Sequence, residues 1–298
     1  MTYSNPTLGK EVAWNGIRFL SPVDWEIGKI GKHYLMLEDE AGPIMEVKWH
    51  RIKGHFSPQA QLHRLSALHK NKPGRNIKQI PVPSGWKGVI DRFESLCFSW
   101  YGETIGGRGI VLYCPKCQNS TLMQFFQRKI HVIDKITTQL LASFQDHRQD
   151  DQIDWAVFDI TARIPREFQL VKYRFEAGLF ELTFVCRGNK VTLYRWGPAS
   201  ILLRERDLLQ NASKMFGISH ADLQYSKIDG RNIVDSNIYP SSSAWVRISN
   251  FIKLNPLYNK SRIWHLEDKN RLLGVKMDGR QPIDPSVFEQ ICGFYDSV

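Results

Sequence analysis

The sequence Cys114-Pro-Lys-Cys117 is the sharpest short motif in this chain whose residue types and spacing could bind a metal ion. It lies between two segments that alternate as strands do, so we expect a tight turn that aims both thiolates at one ion. A structural zinc site needs four ligands. Cys97 lies on the preceding predicted strand, and a hairpin centred near residue 105 would place it opposite Tyr113. The fourth ligand would be a histidine, a carboxylate or a residue of a second chain.

Three interpretations of this motif compete. It is a plain turn with two thiols, which the sequence favours; it binds zinc, within one chain or across a dimer; or it is a redox pair or a disulfide. Redox Cys-x-x-Cys pairs normally lie at a helix N-terminus, where the dipole lowers the thiol pKa, whereas Cys114 and Cys117 follow a strand. Zinc is therefore the only cofactor that the sequence suggests.

Catalytic motifs are absent from the sequence. There is no Gly-x-Ser-x-Gly and no His-Glu-x-x-His, and the glycine-rich segment 102–109 lacks the Lys-Ser/Thr of a phosphate loop. We therefore predict no catalytic residue and favour a protein that is not an enzyme.

Four other residues could contribute to a partner or ligand surface, namely Trp86, Trp245, His50 and His55. The two tryptophans stand at the starts of predicted strands, where lining a groove competes with core packing. The two histidines come just before the first predicted helix, where binding competes with simple solvation. For both pairs the structural interpretation is the favoured one.

The chain has 298 residues and a formal net charge of +10. Residues 1–150 contribute +7 (20 basic, 13 acidic) and residues 151–298 contribute +3 (20 basic, 17 acidic). A basic surface could attract nucleic acid, anionic lipid or an acidic partner. No dense run of Lys and Arg occurs, so nucleic acid is a weaker candidate than a protein partner.

The five cysteines do not form a disulfide framework, and the N-terminus has no secretory pattern. No apolar run reaches the length of a membrane helix. We therefore predict a cytoplasmic protein with reduced thiols.

An internal repeat divides the chain. The segment Ile17–Ile27, with Pro22 and Trp25, recurs as Ile160–Leu170, with Pro165 and Phe168. A repeat of this length indicates two related domains, which we predict at residues 1–147 and 154–298, joined by a polar linker at 148–153. Each half is long enough to bury a core of its own.

Each half is predicted to contain three strands, a helix, three or four strands and a final helix. The first half has an amphipathic helix from Ser57 to Leu68 and a second one from Val132 to Phe144. The second half has helices at 203–216 and from Asp284-Pro285 onward. Runs of strands interrupted by two helices predict an α+β fold with antiparallel sheets and helices packed on them.

The opening of the chain resembles the start of Mog1/PsbP-like domains. The resemblance rests on Gly16-Ile-Arg-Phe19, on Pro22 and Trp25, and on the hairpin and helix that follow. The second half matches less well because Asp159 stands where the equivalent of Gly16 falls. The resemblance implies a tandem Mog1/PsbP-like sandwich that serves as a non-catalytic binding or assembly module.

The sequence therefore favours a binding protein that engages a protein partner through a sheet face or an inter-domain groove. One alternative is a small-molecule-binding protein or enzyme that uses the inter-domain cleft. The other is a zinc-dependent or nucleic-acid-associated protein.

Overall fold

The computed structural model describes residues 8–61, 63, 76–102, 106–127, 130–148, 150–228, 230–239 and 257–298. The chain divides into two compact units: residues 1–149 with 156–158, and residues 150–155 with 159–298. Antiparallel strands predominate in both, so the fold is mainly β with some helices. Among the described residues, no helix combines the length and the apolar character that a membrane crossing requires.

The described elements of the first unit are β1 (Leu8–Trp14), β2 (Ile17–Pro22), β3 (Glu26–Gly31), β4 (Tyr34–Asp39), β5 (Gly42–Arg51), β6 (Asn76–Ile80), β7 (Glu94–Tyr101), β8 (Gly106–Tyr113), β9 (Asn119–Gln127) and α1 (Ile130–Ser143). Seven strands form an antiparallel sheet in the order β3-β4-β5-β9-β8-β7-β6. Strands β1 and β2 pair with each other as a hairpin.

The first hairpin turns at Asn15-Gly16, between β1 and β2. Both residues have positive φ, 45° and 97°, which is the conformation of a two-residue type I′ turn and the reason that Asn-Gly favours it. The residues from Ala13 to Leu20 alternate as one strand would, and their sequence pattern alone predicts one. The structure shows that prediction to be wrong, because the chain reverses inside this segment.

The two faces of the first sheet are covered by different groups of side chains. One face carries a buried cluster made of Phe56, Leu96, Phe98, Trp100, Val111 and Tyr113. Helix α1 is held to the other face by an ion pair between Arg108 of β8 and Asp134, at 2.8 Å. The helix buries Leu140 and Leu141, and Phe144 follows it with its ring 5.8 Å from that of Phe93.

The described elements of the second unit are β10 (Gln152–Val157), β11 (Ile160–Pro165), β12 (Gln169–Glu176), β13 (Leu179–Cys186), β14 (Asn189–Trp196), α2 (Ala199–Glu205), α3 (Leu208–Phe216), β15 (Leu223–Ile228), β16 (Arg231–Ile238), β17 (Tyr258–Leu266), β18 (Arg271–Gly279), α4 (Pro285–Phe294) and β19 (Asp296–Ser297). Its seven-stranded sheet has the order β12-β13-β14-β18-β17-β16-β15. This is the order of the first sheet, strand for strand. Strand β10 begins inside the predicted linker 148–153.

Helix boundaries follow capping residues. The predicted helix at 203–216 is instead two short helices, because Asp207 starts α3 with a capping box in which its carboxylate accepts from the Gln210 amide at 2.7 Å. The predicted start of the last helix is confirmed, since Asp284 caps α4 and Pro285 is its first residue. In the first unit, Ser57 accepts a hydrogen bond from the Ala60 amide and residues 58–61 are helical; most of the helix predicted there lies outside the described residues.

Among the described residues, each unit has five strands before its first helical segment and four between that segment and its last helix, where the sequence predicted three strands and then three or four. In the first unit an additional strand comes from the β1–β2 hairpin, whose residues alternate as one strand would. In the second unit β10 and β12 lie in segments where the sequence predicted no strand. The tandem Mog1/PsbP-like arrangement stays a prediction.

Candidate functional site

The turn between β8 and β9, residues 114–118, is fixed by backbone hydrogen bonds; we call it the cysteine turn. The Cys114 amide donates to the Asn119 carbonyl at 3.0 Å, and the Gln118 amide donates to the Cys114 carbonyl at 2.8 Å. Gln118 closes the turn in the left-handed region, with φ of 61°. The Gln118 carbonyl also accepts from the Ile52 amide at 2.8 Å. Both cysteines are thus presented by a rigid backbone.

A second segment, which follows α1, reaches the cysteine turn. Gln145 forms an antiparallel bridge with Arg18 of β2, through amide-to-carbonyl hydrogen bonds of 2.8 and 2.7 Å. The buried Phe144 just before it has a carbonyl that accepts from the Arg92 guanidinium. These anchors direct the next two residues, Asp146 and His147, toward the two thiols.

Four side chains meet there: Cys114, Cys117, Asp146 and His147, which we call the donor cluster. One potential ligand atom from each lies within 4.8 Å of all the others. The Cys117 thiol donates to Asp146 Oδ2 at 3.0 Å, His147 Nδ1 lies 2.8 Å from Asp146 Oδ1, and Cys114 Sγ lies 3.8 Å from His147 Nδ1. Cys114 and Asp146 are buried, and the other two are partly exposed.

The electrostatics of the donor cluster disfavour redox chemistry. Burial raises the pKa of the Cys117 thiol well above its ordinary value, and the hydrogen bond to Asp146 raises it further. Because the thiolate is the reactive form of cysteine, such a thiol is a poor nucleophile. Cys114 and Cys117 also follow a strand in the chain and do not begin a helix, in agreement with this.

Cys97 does not belong to the donor cluster. On β7 it lies opposite Ile110, while Glu94 lies opposite Tyr113, so the predicted register of this hairpin is wrong by three residues. The error arose because the loop between β7 and β8 is centred earlier in the chain than residue 105. Cys97 is buried in the sheet, and this burial raises the pKa of its thiol to about 12.

The four predicted surface residues have different environments. Trp86 is only 2% exposed and its ring centroid lies 6.1 Å from that of Phe125, so it is a core residue. His50 on β5 and His55 after it are both exposed. Trp245 lies outside the described residues.

Sequence reasoning missed Asp146 and His147. It asked for a histidine or a carboxylate as the missing ligand, but it assigned these two residues to the polar end of the first domain. The available signal was their position directly after a helix that closes the repeat. Using it would have required the bridge between Gln145 and Arg18, which no local pattern reveals.

The outermost strand of the second sheet is a separate surface feature. Strand β12 has a β-bulge between Leu170 and Lys172, and the bulged residue Val171 is 55% exposed. Along the same strand, the half-buried rings of Tyr173 and Phe175 lie 6.0 Å apart, and Phe175 makes an edge contact with Phe180 of β13 at 5.2 Å. This edge therefore presents apolar side chains beside the backbone groups of a terminal strand.

Comparisons with known proteins give weak structural likenesses. No protein-family model matches the chain, and no curated protein matches it. The chain is similar to a solved structure from Bacteroides thetaiotaomicron at 10% identity and a TM-score of 0.32, over 53% of this chain and 54% of that one. It is also similar to a chain of the Tle4–Tli4 complex, at 9% identity and a TM-score of 0.33 over 98% of both chains. A third similar structure is the T6SS immunity protein TplEi from Pseudomonas aeruginosa, complexed with a peptide, at 10% identity and a TM-score of 0.29 over 97% of this chain and 98% of that one. Scores of this size do not establish a common fold.

Proposed function

We propose that this protein is a non-catalytic binding protein that docks an extended segment of a protein partner along β12. The observation that carries the proposal is the exposed valine at the bulge of this terminal strand, next to a row of half-buried aromatic rings. The five cysteines are all free thiols, which suits the cytoplasm, where thiols stay reduced.

A terminal strand offers two kinds of contact to a partner. Its outward N–H and C=O groups pair with the backbone of an added strand, and its side chains give specificity through alternate positions. Terminal strands are commonly protected against such pairing by charges and bulges. Strand β12 has both a bulge and charges, but the charges are paired within the sheet: Lys172 with Glu181 at 2.8 Å, and Arg174 with Glu176. The apolar side chains are thus the groups left to recognise a partner.

The proposal assigns the two faces of β12 different roles. Tyr173 and Phe175 continue toward Phe180, whose ring lies 4.1 Å from the Arg195 guanidinium carbon. A partner strand with large apolar residues at alternate positions would extend this row. The intervening residues of the partner strand would face the paired charges of Lys172 and Arg174, so we expect polar residues at those positions.

Site-specific photo-crosslinking tests the docking position. We expect a crosslinker at Val171 to capture a defined protein from cells that produce this chain. A crosslinker at Ile201, an equally exposed apolar residue on α2 of the same unit, should not capture it. Val171→Glu should weaken co-purification of that protein at least about tenfold, because a charge directly opposite the added strand must be desolvated. The matched variant Ile201→Glu should retain it.

Two results would contradict the proposal. One is equal crosslinking from both positions. The other is full retention of the captured protein by Val171→Glu when that variant unfolds at the same temperature as wild type.

A further inference from the structure

We propose that the donor cluster, Cys114, Cys117, Asp146 and His147, binds one Zn²⁺ ion as a structural site in the first unit. This inference is independent of the partner-docking proposal, since the two features lie in different units and share no residue.

The chemistry of the four donors selects zinc. Two thiolates, an imidazole and a carboxylate form a mixed S/N/O set of the kind that tetrahedral Zn²⁺ accepts, whereas Ca²⁺ and Mg²⁺ prefer oxygen ligands alone. The set provides four protein ligands and so leaves no open position for water or a substrate. A closed site of this kind stabilises structure and does not catalyse.

The spacing of the ligand atoms fits such an ion. Bond lengths of about 2.3 Å to sulfur and 2.0–2.2 Å to nitrogen or oxygen place tetrahedral ligand atoms roughly 3.3–3.8 Å apart. Cys114 Sγ and His147 Nδ1 are 3.8 Å apart, Cys117 Sγ and Asp146 Oδ2 are 3.0 Å apart, and no pair exceeds 4.8 Å. The ligand atoms therefore already lie close to the separations that a tetrahedral zinc site requires.

The backbone already holds both halves of the site in place. The cysteine turn is closed by its own hydrogen bonds and tied to Ile52, and the segment with Asp146 is tied to β2 through Gln145 and Arg18. Cys117 and Asp146 are 29 residues apart in the chain. The ion would join the end of α1 to the turn between β8 and β9.

The second unit shows that this frame does not need the donors. Its turn between β17 and β18 also ends on a residue with positive φ, Asn270 at 54°, and β19 pairs with β11 as Gln145 does with β2. The positions equivalent to the donor cluster hold Leu266, Lys269, Ser297 and Val298, which cannot form a metal site. The four donors of the first unit are thus not dictated by the turn or by the helix end.

A metal-free arrangement is the competing outcome, because the four groups also satisfy one another through the contacts already described. Metal content and coordination geometry distinguish the two. The full chain, without an affinity tag, is refolded with Zn²⁺, passed over a desalting column and analysed for metal. We expect about one equivalent of zinc to be retained. Substitution by Co²⁺ should give the sulfur-to-metal charge-transfer bands and intense d–d bands of tetrahedral coordination with two thiolates.

Single-residue variants identify the ligands. Cys117→Ser and His147→Gln should each lower zinc affinity at least tenfold, given that even outer-shell changes cost about 10–100-fold. Asp146→Asn should weaken binding less, because an amide oxygen remains. Cys97→Ala is the matched control: a buried cysteine of the same unit that lies outside the cluster. It should retain zinc fully.

His147→Gln also separates loss of zinc from misfolding. His147 is partly exposed and lies outside the cysteine turn, so we expect this variant to remain folded. The proposal is overturned if refolded wild type retains less than about a tenth of an equivalent of zinc, since structural sites hold zinc tightly. It is also overturned if the Co²⁺ form lacks thiolate charge-transfer bands, or if Cys97→Ala loses zinc as completely as Cys117→Ser.

Discussion

The two units of this protein use the same frame with different residues at its specialised positions. The two seven-stranded sheets have the same strand order. In each unit, the second strand of the first hairpin also pairs with the segment that follows the last helix: β2 with Gln145, and β11 with β19. Both terminal strands carry a β-bulge at the equivalent place, between Ile27 and Lys29 in one unit and between Leu170 and Lys172 in the other. The frame is therefore repeated down to an irregularity of one residue.

The units differ in the residues that occupy two equivalent places of this frame, a turn and the bulge of the terminal strand. The turn between β8 and β9 in the first unit is equivalent to the turn between β17 and β18 in the second. Cys114 and Cys117 of the first turn correspond to Leu266 and Lys269 of the second. The buried position is conserved in burial but not in chemistry, since Cys114 and Leu266 are both inaccessible. Apolar packing and turn geometry specify the frame, and they leave the chemistry of these positions free to differ.

The bulge on the terminal strand differs in the opposite sense. In the first unit the bulged residue is Gly28, where an added Cβ would lie 2.3 Å from the Glu38 carboxyl carbon. In the second unit it is the exposed Val171. The first unit thus has potential metal ligands at its turn and a glycine at its bulge. The second unit has no such ligands at the equivalent turn and an exposed valine at its bulge.

The largest expected effect concerns the turn. If the donor cluster binds zinc only in the folded form, free zinc at 1,000 times its Kd should stabilise the first unit by about 4 kcal/mol. A chelator that removes the zinc should abolish this stabilisation. Hydrogen exchange resolved by mass spectrometry should show faster exchange in β8, β9 and α1, with the second unit unchanged.

The control for this effect is the equivalent turn of the second unit. Lys269→Ala should change stability by no more than about 0.5 kcal/mol, as expected for a surface substitution. Equal acceleration of exchange in both units after chelation would contradict the assignment of the metal to the first.

A smaller effect is expected where Asp159 replaces the equivalent of Gly16. The Asp159 carboxylate accepts from Arg195 Nε at 2.9 Å and from Arg271 Nε at 3.2 Å. Arg195 is 9% exposed and Asp159 is 24% exposed in their side chains. Asp159→Gly would leave a buried guanidinium without its partner, so we expect a loss of about 2–3 kcal/mol, below the 3–5 kcal/mol of a fully buried pair. Urea unfolding would measure it.

Glu176→Ala is the matched control, because Glu176 forms its ion pair with Arg174 in solvent. It should produce no measurable change in the unfolding midpoint. If Asp159→Gly and Glu176→Ala were equally stable, the ion pair between Asp159 and Arg195 would make no measurable contribution to stability.

The repeat and the capping residues could be predicted from sequence because both are local signals. Pro22 and Pro165 mark matching turns, and Asp284-Pro285 begins a helix as a cap followed by proline should. Asn15-Gly16 was equally local, and it was missed only because the flanking apolar residues read as one strand. These features need no knowledge of which strands are neighbours.

The donor cluster could not be predicted in full because it depends on contacts between distant segments. The Cys-x-x-Cys turn is visible in sequence, but Asp146 reaches it only because Gln145 bridges to Arg18, 127 positions earlier (145 − 18). The predicted hairpin instead places Cys97 near Cys114, because its register differs from the observed one by three residues. Register is fixed by the whole sheet, so a local estimate of it fails.

The smallest expected effect concerns how each unit fastens its last helix to its sheet. Among the residues that the structure describes, the first uses the pair Arg108 with Asp134. In the second, Glu289 of α4 accepts from Lys260 at 3.1 Å and from Arg262 at 2.6 Å. Lys260 occupies the strand position equivalent to Arg108. Partial burial raises the pKa of Glu289, but the hydrogen bonds from Arg262 and Lys260 outweigh it, so the net pKa lies below the usual value.

A carboxyl group with a lowered folded-state pKa adds stability above its unfolded-state pKa, and that stability is lost as the pH falls through the folded-state value. Because the Glu289 side chain is 48% exposed, we expect Glu289→Gln to cost less than about 1 kcal/mol near pH 7, and progressively less as the pH is lowered toward 3 through the lowered folded-state pKa. Urea unfolding midpoints at the two pH values would measure the difference. Glu205→Gln, at the exposed end of α2, is the matched control and should leave the unfolding midpoint near pH 7 unchanged, as expected for a surface substitution. A cost for Glu289→Gln that persisted at low pH would mean that the glutamate acts through packing, and the second unit would then fasten its helix no differently from the first.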